Sequence, residues 1–100
     1  MNAQKIESTQ FKFLGETVQF EIGQYQNGRT ALQVISTSGE PYGVLSVNLP
    51  DVAIPDGCIA VKNWSENEPL AESAYNTGLF KNTGVRAQTG FCAAPIWQVL

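Results

Sequence analysis

The dipeptide Asn27-Gly28 most constrains how this chain folds, because Asn-Gly is the strongest short-range signal for a turn between two antiparallel strands. Apolar and polar residues alternate in the segments on either side of it, 18–22 and 32–34. A period of two residues is typical of a strand with one buried face. The pattern therefore predicts a β-hairpin centred on this turn.

The register of the hairpin follows from matching apolar residues across it. A two-residue loop would place Ile22 opposite the polar Gln33. A three-residue loop with a left-handed glycine instead pairs Ile22 with Leu32 and Phe20 with Val34. Because a slip of one residue moves every side chain to the other face, the better apolar match predicts the three-residue loop.

The remaining elements are assigned from the same kinds of pattern. A tight turn at 39–40 leads to a third strand at 45–49, with Leu45 opposite Val34, which completes a three-stranded meander. A short strand at 58–62, a helix at 68–77 and two strands at 83–88 and 91–99 follow. The prediction is an α+β fold with an antiparallel sheet of about six strands and one short helix packed on it. We expect a flexible N-terminus over 1–9 and a single domain over 10–100.

The predicted C-terminal strand is apolar on both of its faces. Ala93 and Trp97 share one face, and Ala94 and Ile96 share the other. Such a strand is either covered on both sides within the chain or paired with a second copy of it.

The composition predicts a compact protein that stays in the cytoplasm. The chain is 43% hydrophobic and 15% charged, which is typical of a globular domain. No apolar run approaches the roughly 20 residues that span a bilayer, and the first ten residues lack the apolar region of a secretory signal.

The charge distribution argues against direct binding to nucleic acids or membranes. The net charge is −3, and the segment 48–72 holds five acids and one lysine. The six basic residues are scattered along the chain, whereas phosphate binding depends on clustered lysines and arginines.

The absence of histidine removes several classes of site. Ser-His-Asp and Cys-His catalysis are impossible, and Cys58 and Cys92 are too few for a structural zinc site. We predict no cofactor, no metal and no catalytic residue. The two cysteines are expected to be reduced thiols in the core.

The segment 61–72, VKNWSENEPLAE, is the candidate site. Ser65 and Glu68 match a helix-capping box, which would account for the SENE string as a helix start. Trp64 has two interpretations, a core anchor under the helix or the exposed centre of a protein-binding surface with a polar rim. The residues predicted to bind a partner are Trp64, Asn63, Glu66, Asn67 and Glu68, with Asp56 and Tyr42 as neighbours.

Four segments together resemble a family of small uncharacterised bacterial proteins carried by phages, plasmids and integrative elements. They are FKFLGETVQFEIGQYQNGRTALQV, GEPYGVLSVNLP, VKNWSENEPL and GVRAQTGFCAAPIWQVL, of which SVNLP and VKNWSENE are the most specific parts. The resemblance covers nearly the whole chain and implies an accessory role. It carries over no catalytic residue.

The function expected from these observations is non-enzymatic binding to a host protein. The partner would be a defence nuclease or its complex, and the chain would act as an inhibitor of the anti-CRISPR or anti-restriction type. Two alternatives stay open. One is a small enzyme that uses the carboxylates of Asp51, Asp56, Glu66 or Glu68. The other is a structural protein that self-associates, as a homodimer, through the C-terminal strand.

Overall fold

The computed structural model describes residues 3–100 and has an α+β fold. The predicted class is therefore confirmed. In chain order the elements are α1 (Ala3–Glu7), β1 (Gln10–Phe13), β2 (Glu16–Gln24), β3 (Thr30–Ser36), β4 (Pro41–Val44), β5 (Cys58–Ala60), a 3₁₀ turn (Ser65–Asn67), α2 (Glu68–Tyr75), β6 (Phe80–Thr89) and β7 (Cys92–Val99).

The first sheet is antiparallel with the order β1-β2-β3-β4, and its central hairpin has the predicted register. Phe20 lies opposite Val34 and Ile22 lies opposite Leu32. Gly28 has φ +82°, a left-handed conformation that costs glycine little, so the three-residue loop is confirmed. The predicted meander is present as β2, β3 and β4.

The last strand of this meander lies earlier in the chain than predicted. We expected Leu45 opposite Val34, but Gly43 occupies that position and β4 ends at Val44. An ideal Cβ on Gly43 would lie 2.9 Å from Cδ2 of Leu70, so the helix α2 approaches this strand more closely than a side chain would allow. Tertiary packing thus decides which residue faces Val34.

Residues 45–47 connect the first sheet to a second one instead of extending β4. The amide of Leu45 donates to the carbonyl of Leu32 on β3, and the Leu45 carbonyl accepts from the amide of Lys62. Ser46 and Val61 form an isolated antiparallel bridge. The predicted single sheet of about six strands is therefore wrong, because the described chain has a four-stranded and a three-stranded sheet joined by this segment.

The C-terminal strand β7 is the central strand of the second sheet, whose order is β5-β7-β6. Both faces of β7 are covered within the chain, which confirms the first of the two predicted possibilities. Residues 96–98 pair with β5 on one edge, while residues 92–95 and 97–99 pair with β6 on the other. Residues 96–98 therefore have neighbours on both edges, whereas the described pairing of residues 92–94 is with β6.

Two apolar clusters fill the molecule on opposite faces of β7. The first cluster lies between the sheets and α2; its largest fully buried side chains are Phe20, Ile6, Leu32, Leu45, Val18, Val34 and Val61. The second cluster consists of Ala60, Ala87, Ala94 and Ile96, with Val47, Leu49, Val52, Ile54, Cys58 and Trp64 packed against it.

The two helices differ in how well they were predicted. The helix α2 starts at Glu68 as expected and ends two residues early, at Tyr75, with Leu70 and Ala74 buried. The segment 1–9 was predicted to be flexible, a prediction that stays untested; within it, residues 3–7 form α1 and Ile6 is fully buried in the first cluster. Met1 and Asn2, which belong to the same prediction, lie outside the described residues.

Candidate functional site

The candidate segment leaves β5, passes through the 3₁₀ turn and enters α2, but the predicted capping box does not form. Neither Trp64 nor Asn67, the residues that precede the 3₁₀ turn and α2, makes a capping hydrogen bond with its side chain. Ser65 lies inside the turn with φ +54°, a left-handed conformation that is uncommon for serine. The Ser65–Glu68 interpretation is therefore wrong.

Asn67 holds this junction in place of the capping box. Its side-chain amide donates to the carbonyl of Lys62 at 2.6 Å and to the carbonyl of Val44 at 3.1 Å. One half-buried side chain thereby ties the end of β4 to the residues that precede the helix. Asn67 was predicted to bind a partner, but both of its N–H donors are already used within the chain.

Trp64 is half-buried and packs against the second cluster. Its predicted role as a core anchor under the helix is wrong, because the buried residues of α2 belong to the first cluster, on the other face of β7. A smaller part of its surface is open to solvent. The structure therefore places Trp64 at the margin of the second cluster.

Two glutamates that flank this tryptophan are exposed. The carboxylates of Glu66 and Glu68 make no hydrogen bond or ion pair with any residue from 3 to 100. Asn63 and Glu68 come together at a shallow hollow of about 250 Å³, whose other lining residues include Tyr75 and Trp97. Those two rings touch edge to face, with centroids 4.8 Å apart.

Asp56 and Tyr42 lie outside this hollow. Asp56 is exposed at a separate cleft of about 250 Å³, which Tyr25, Arg29 and Cys58 also line. Tyr42 packs on the first cluster, with its ring 6.4 Å from that of Phe13. The structure thus brings Asn63 and Glu68 together and leaves these two neighbours at other places.

The pKa of the Tyr42 hydroxyl is raised above its usual value of 10.0. Partial removal of the ring from water is the main cause, and the negative charges of Glu16 and Glu40 add to it. Both effects disfavour the phenolate. Tyr42 therefore stays neutral over the physiological range.

The carboxylates considered for the enzymatic alternative do not form a metal-binding group. Within the described chain, no three or more His, Cys, Asp and Glu residues are arranged to hold a metal ion. Asp51 and Asp56 lie on the loop before β5, whereas Glu66 and Glu68 follow it.

The two cysteines are free thiols and are half-buried, where full burial in the core was expected. Cys58 lies opposite Gln98, and Cys92 is six residues away on the same strand. Six residues of strand span about 20 Å, whereas a disulfide needs Cα atoms within about 7 Å. The strand register therefore excludes a bond between them.

Sequence reasoning missed the buried polar contacts that join the two sheets. Ser46 Oγ accepts from the amide of Leu32 at 2.9 Å and lies 2.9 Å from the hydroxyl of Tyr25. Arg29 donates to the carbonyl of Leu49 at 2.9 Å. The segments SVNLP and VKNWSENE meet at this joint, since Ser46 bridges Val61. The residues around Ser46 give no local pattern that predicts a hydrogen bond from the amide of Leu32 on β3.

Comparison of the chain with protein-family models, curated proteins and solved structures found no match. The resemblance to the mobile-element family therefore stays a prediction. In residues 3–100, none of the helices has the length and apolar character needed to cross a membrane.

Proposed function

We propose that this chain is a non-enzymatic protein that acts by binding another protein through the surface around Trp64. The observation that carries the proposal is a partly exposed tryptophan followed by two exposed carboxylates, Glu66 and Glu68, that have no described partner.

Residues of these types suit a binding surface. Tryptophan is enriched among the few residues that dominate binding energy, and a polar rim usually surrounds it. Its inner half is fixed against the second cluster, so little side-chain freedom is lost when a partner covers the rest. Glu66 and Glu68 break no internal ion pair when they meet a cation.

The carboxylates suggest a basic partner surface, such as the nucleic-acid channel of a nuclease. Acidic groups speed the encounter with such a surface by electrostatic steering. The resemblance to proteins of mobile elements extends the proposal to inhibition of a host defence nuclease in the cytoplasm.

The predicted site residues take different roles in this proposal. Trp64 is the anchor, Glu66 and Glu68 supply charge, and Asn63 lines the hollow that Glu68 also lines. Asn67 keeps the junction in shape through its two internal hydrogen bonds. Asp56 and Tyr42 are not needed.

The test compares two charge reversals of equal size by affinity capture from host lysate. Glu66→Lys combined with Glu68→Lys should abolish capture of a stoichiometric partner that the wild type retains. The matched control is Glu16→Lys combined with Glu21→Lys, because these glutamates are exposed on β2. The control should retain the partner, and added salt should weaken the wild-type complex.

Trp64→Ala is the second variant, and its thermal unfolding must be measured because the ring packs on the second cluster. Loss of the partner by a variant that is folded at the assay temperature supports the proposal. Equal capture by all variants would refute the proposed surface. If amide variants of Asp51 or Asp56 abolished a measured turnover, the carboxylate enzyme would replace it.

A further inference from the structure

Phe91 is the most exposed large apolar residue of the described chain. It lies at the tip of the β6–β7 hairpin, and its side chain is fully open to solvent. A single exposed apolar side chain is common in soluble proteins and needs no explanation by itself. The same hairpin, however, also forms one wall of an apolar hollow that could hold an aromatic side chain such as Phe91.

That feature is a hollow of about 500 Å³ between β6 and the loop before β5. Most of its lining is apolar; the residues are Val52, Ala53, Pro55, Thr83, Val85, Arg86, Ala87, Gln88 and Ile96. Its volume is within the range of sites that hold an aromatic group. We call it the hairpin hollow. Val85, on its strand wall, is 59% exposed.

A bulge in β6 forms this wall and holds it in shape. Asn82 pairs with Trp97 and Arg86 pairs with Pro95, so residues 83–85 oppose Ile96 alone. The hydroxyl of Thr83 donates to the carbonyl of Ile96 at 2.7 Å. Bulges of this kind re-aim side chains at the edge of a sheet. The hollow is therefore part of the folded monomer and does not depend on a ligand to create it.

The two segments that form the walls of the hairpin hollow carry opposite charges. The hairpin 80–99 carries Lys81 and Arg86 and no acid, whereas the opposing loop 50–57 carries Asp51 and Asp56 and no base. The side chains of Arg86, Asp51 and Asp56 are exposed and make no described hydrogen bond or ion pair. In a two-fold contact, the basic strand of one copy can face the acidic loop of the other.

We propose that two copies of the chain associate through their β6–β7 hairpins, with Phe91 of each copy in the hairpin hollow of the other. Each apolar projection then has an apolar site to fill, and the two contacts are equivalent, as a two-fold axis requires. This inference goes beyond the proposed function and does not depend on it.

The size of the contact predicts a weak dimer. An aromatic side chain buries about 150–250 Å², so two rings and the two hollows that they fill remove roughly 600–1,000 Å² from water. Stable complexes bury about 1,200–2,000 Å². We therefore expect a reversible dimer with a dissociation constant in the micromolar range, since even interfaces of about 1,600 Å² can be that weak.

The experiment is sedimentation equilibrium of the full chain from about 1 μM to about 500 μM, which brackets that constant. The wild type should change from monomer to dimer across the range. Phe91→Ser should weaken the dimer at least about tenfold, because it removes both apolar projections. Leu14→Ser is the matched control, since Leu14 is 76% exposed in the β1–β2 turn, and it should dimerise like the wild type.

A mixing experiment tests the reciprocal geometry. Val85→Lys should block the hollow and leave Phe91 in place, so this variant alone should also be monomeric. A mixture of Phe91→Ser and Val85→Lys restores one of the two contacts and should associate more tightly than either variant alone. A wild type that stays monomeric at about 500 μM would overturn the proposal. A dimer that Phe91→Ser does not weaken, or that Leu14→Ser weakens as much, would also overturn it.

Discussion

The hairpins β2–β3 and β6–β7 have similar lengths but differ in which of their strands are buried. In β2–β3, the strands share one buried face, and seven consecutive pairs keep a regular register. In β6–β7, six consecutive residues of β6, 81–86, are exposed, while β7 buries residues 94–97 without a break.

The position of each strand in its sheet explains the difference. The strands β2 and β3 are both central, so each has partners on two sides and one face on the first cluster. In the second sheet, only β7 is central, while β6 is an edge strand with a bulge. Edge strands with bulges resist further pairing and can present side chains to solvent. The first hairpin thus builds the core, and the second offers a surface.

The largest expected effect is the difference in the free energy of unfolding between two phenylalanine-to-alanine substitutions, one in each hairpin. Phe20 is 1% exposed and its ring lies 4.9 Å from that of Phe11 and 5.5 Å from that of Phe80. Phe20→Ala should lower the free energy of unfolding by about 3–5 kcal/mol, because it leaves a cavity in the first cluster. Phe91→Ala should change it by less than about 0.5 kcal/mol.

Urea denaturation at low protein concentration measures both values without a contribution from self-association. Similar losses in the two variants would show that the contrast between the hairpins is wrong.

A smaller effect compares two hydroxyls: Ser46 ties the first hairpin to residues 45–47, and Thr83 joins the two strands of the second hairpin. Ser46→Ala leaves the buried amide of Leu32 without that acceptor and should cost about 1–3 kcal/mol. Thr83→Ala removes a hydrogen bond in a part-buried, more exposed place and should cost about 1 kcal/mol. Ser46→Cys, which keeps most of the volume, separates the lost hydrogen bond from lost packing. Unfolding curves in which Thr83→Ala is the more damaging change would reverse the assignment.

The smallest expected effect concerns Tyr42, on the strand β4 beside the first hairpin. Its pKa is higher in the folded chain than the usual 10.0, so the folded state favours the neutral phenol. The corresponding stability is present below pH 10 and is lost as the pH rises through the folded pKa. Absorbance titration should show a phenolate that forms above pH 10, and Tyr42→Phe should remove that component. A titration unchanged by that substitution would contradict the assignment.

The parts of the fold that were predicted correctly depend on neighbours in the sequence. Alternation and the Asn27-Gly28 turn determined the register of β2 with β3 because one buried face tolerates no slip. The start of α2 was also correct, but its predicted cap was not. A Ser-x-x-Glu pattern shows only that a serine could accept from the first backbone amides of the helix. In the folded chain, Asn67 organises the junction instead, through its hydrogen bonds to the carbonyls of Val44 and Lys62.

The candidate site was predicted as a segment and not as a surface. Asn63 and Glu68 do meet, whereas Asp56 and Tyr42, which were predicted as their neighbours, lie at other places. The hairpin hollow was not predicted at all, since its walls come from segments 52–55 and 83–88 and from Ile96.

By itself, the sequence determined the α+β class, the register of the first hairpin, the two apolar faces of the C-terminal strand and the lack of histidine chemistry. These features follow from residue type and short-range periodicity, which act before distant segments meet. Only the tertiary structure decided that residues 45–47 join two sheets, that Leu70 packs closely against Gly43, and that Trp64 lies on the second cluster. Each of these depends on close packing between distant segments, where a change of one ångström decides which side chain fits.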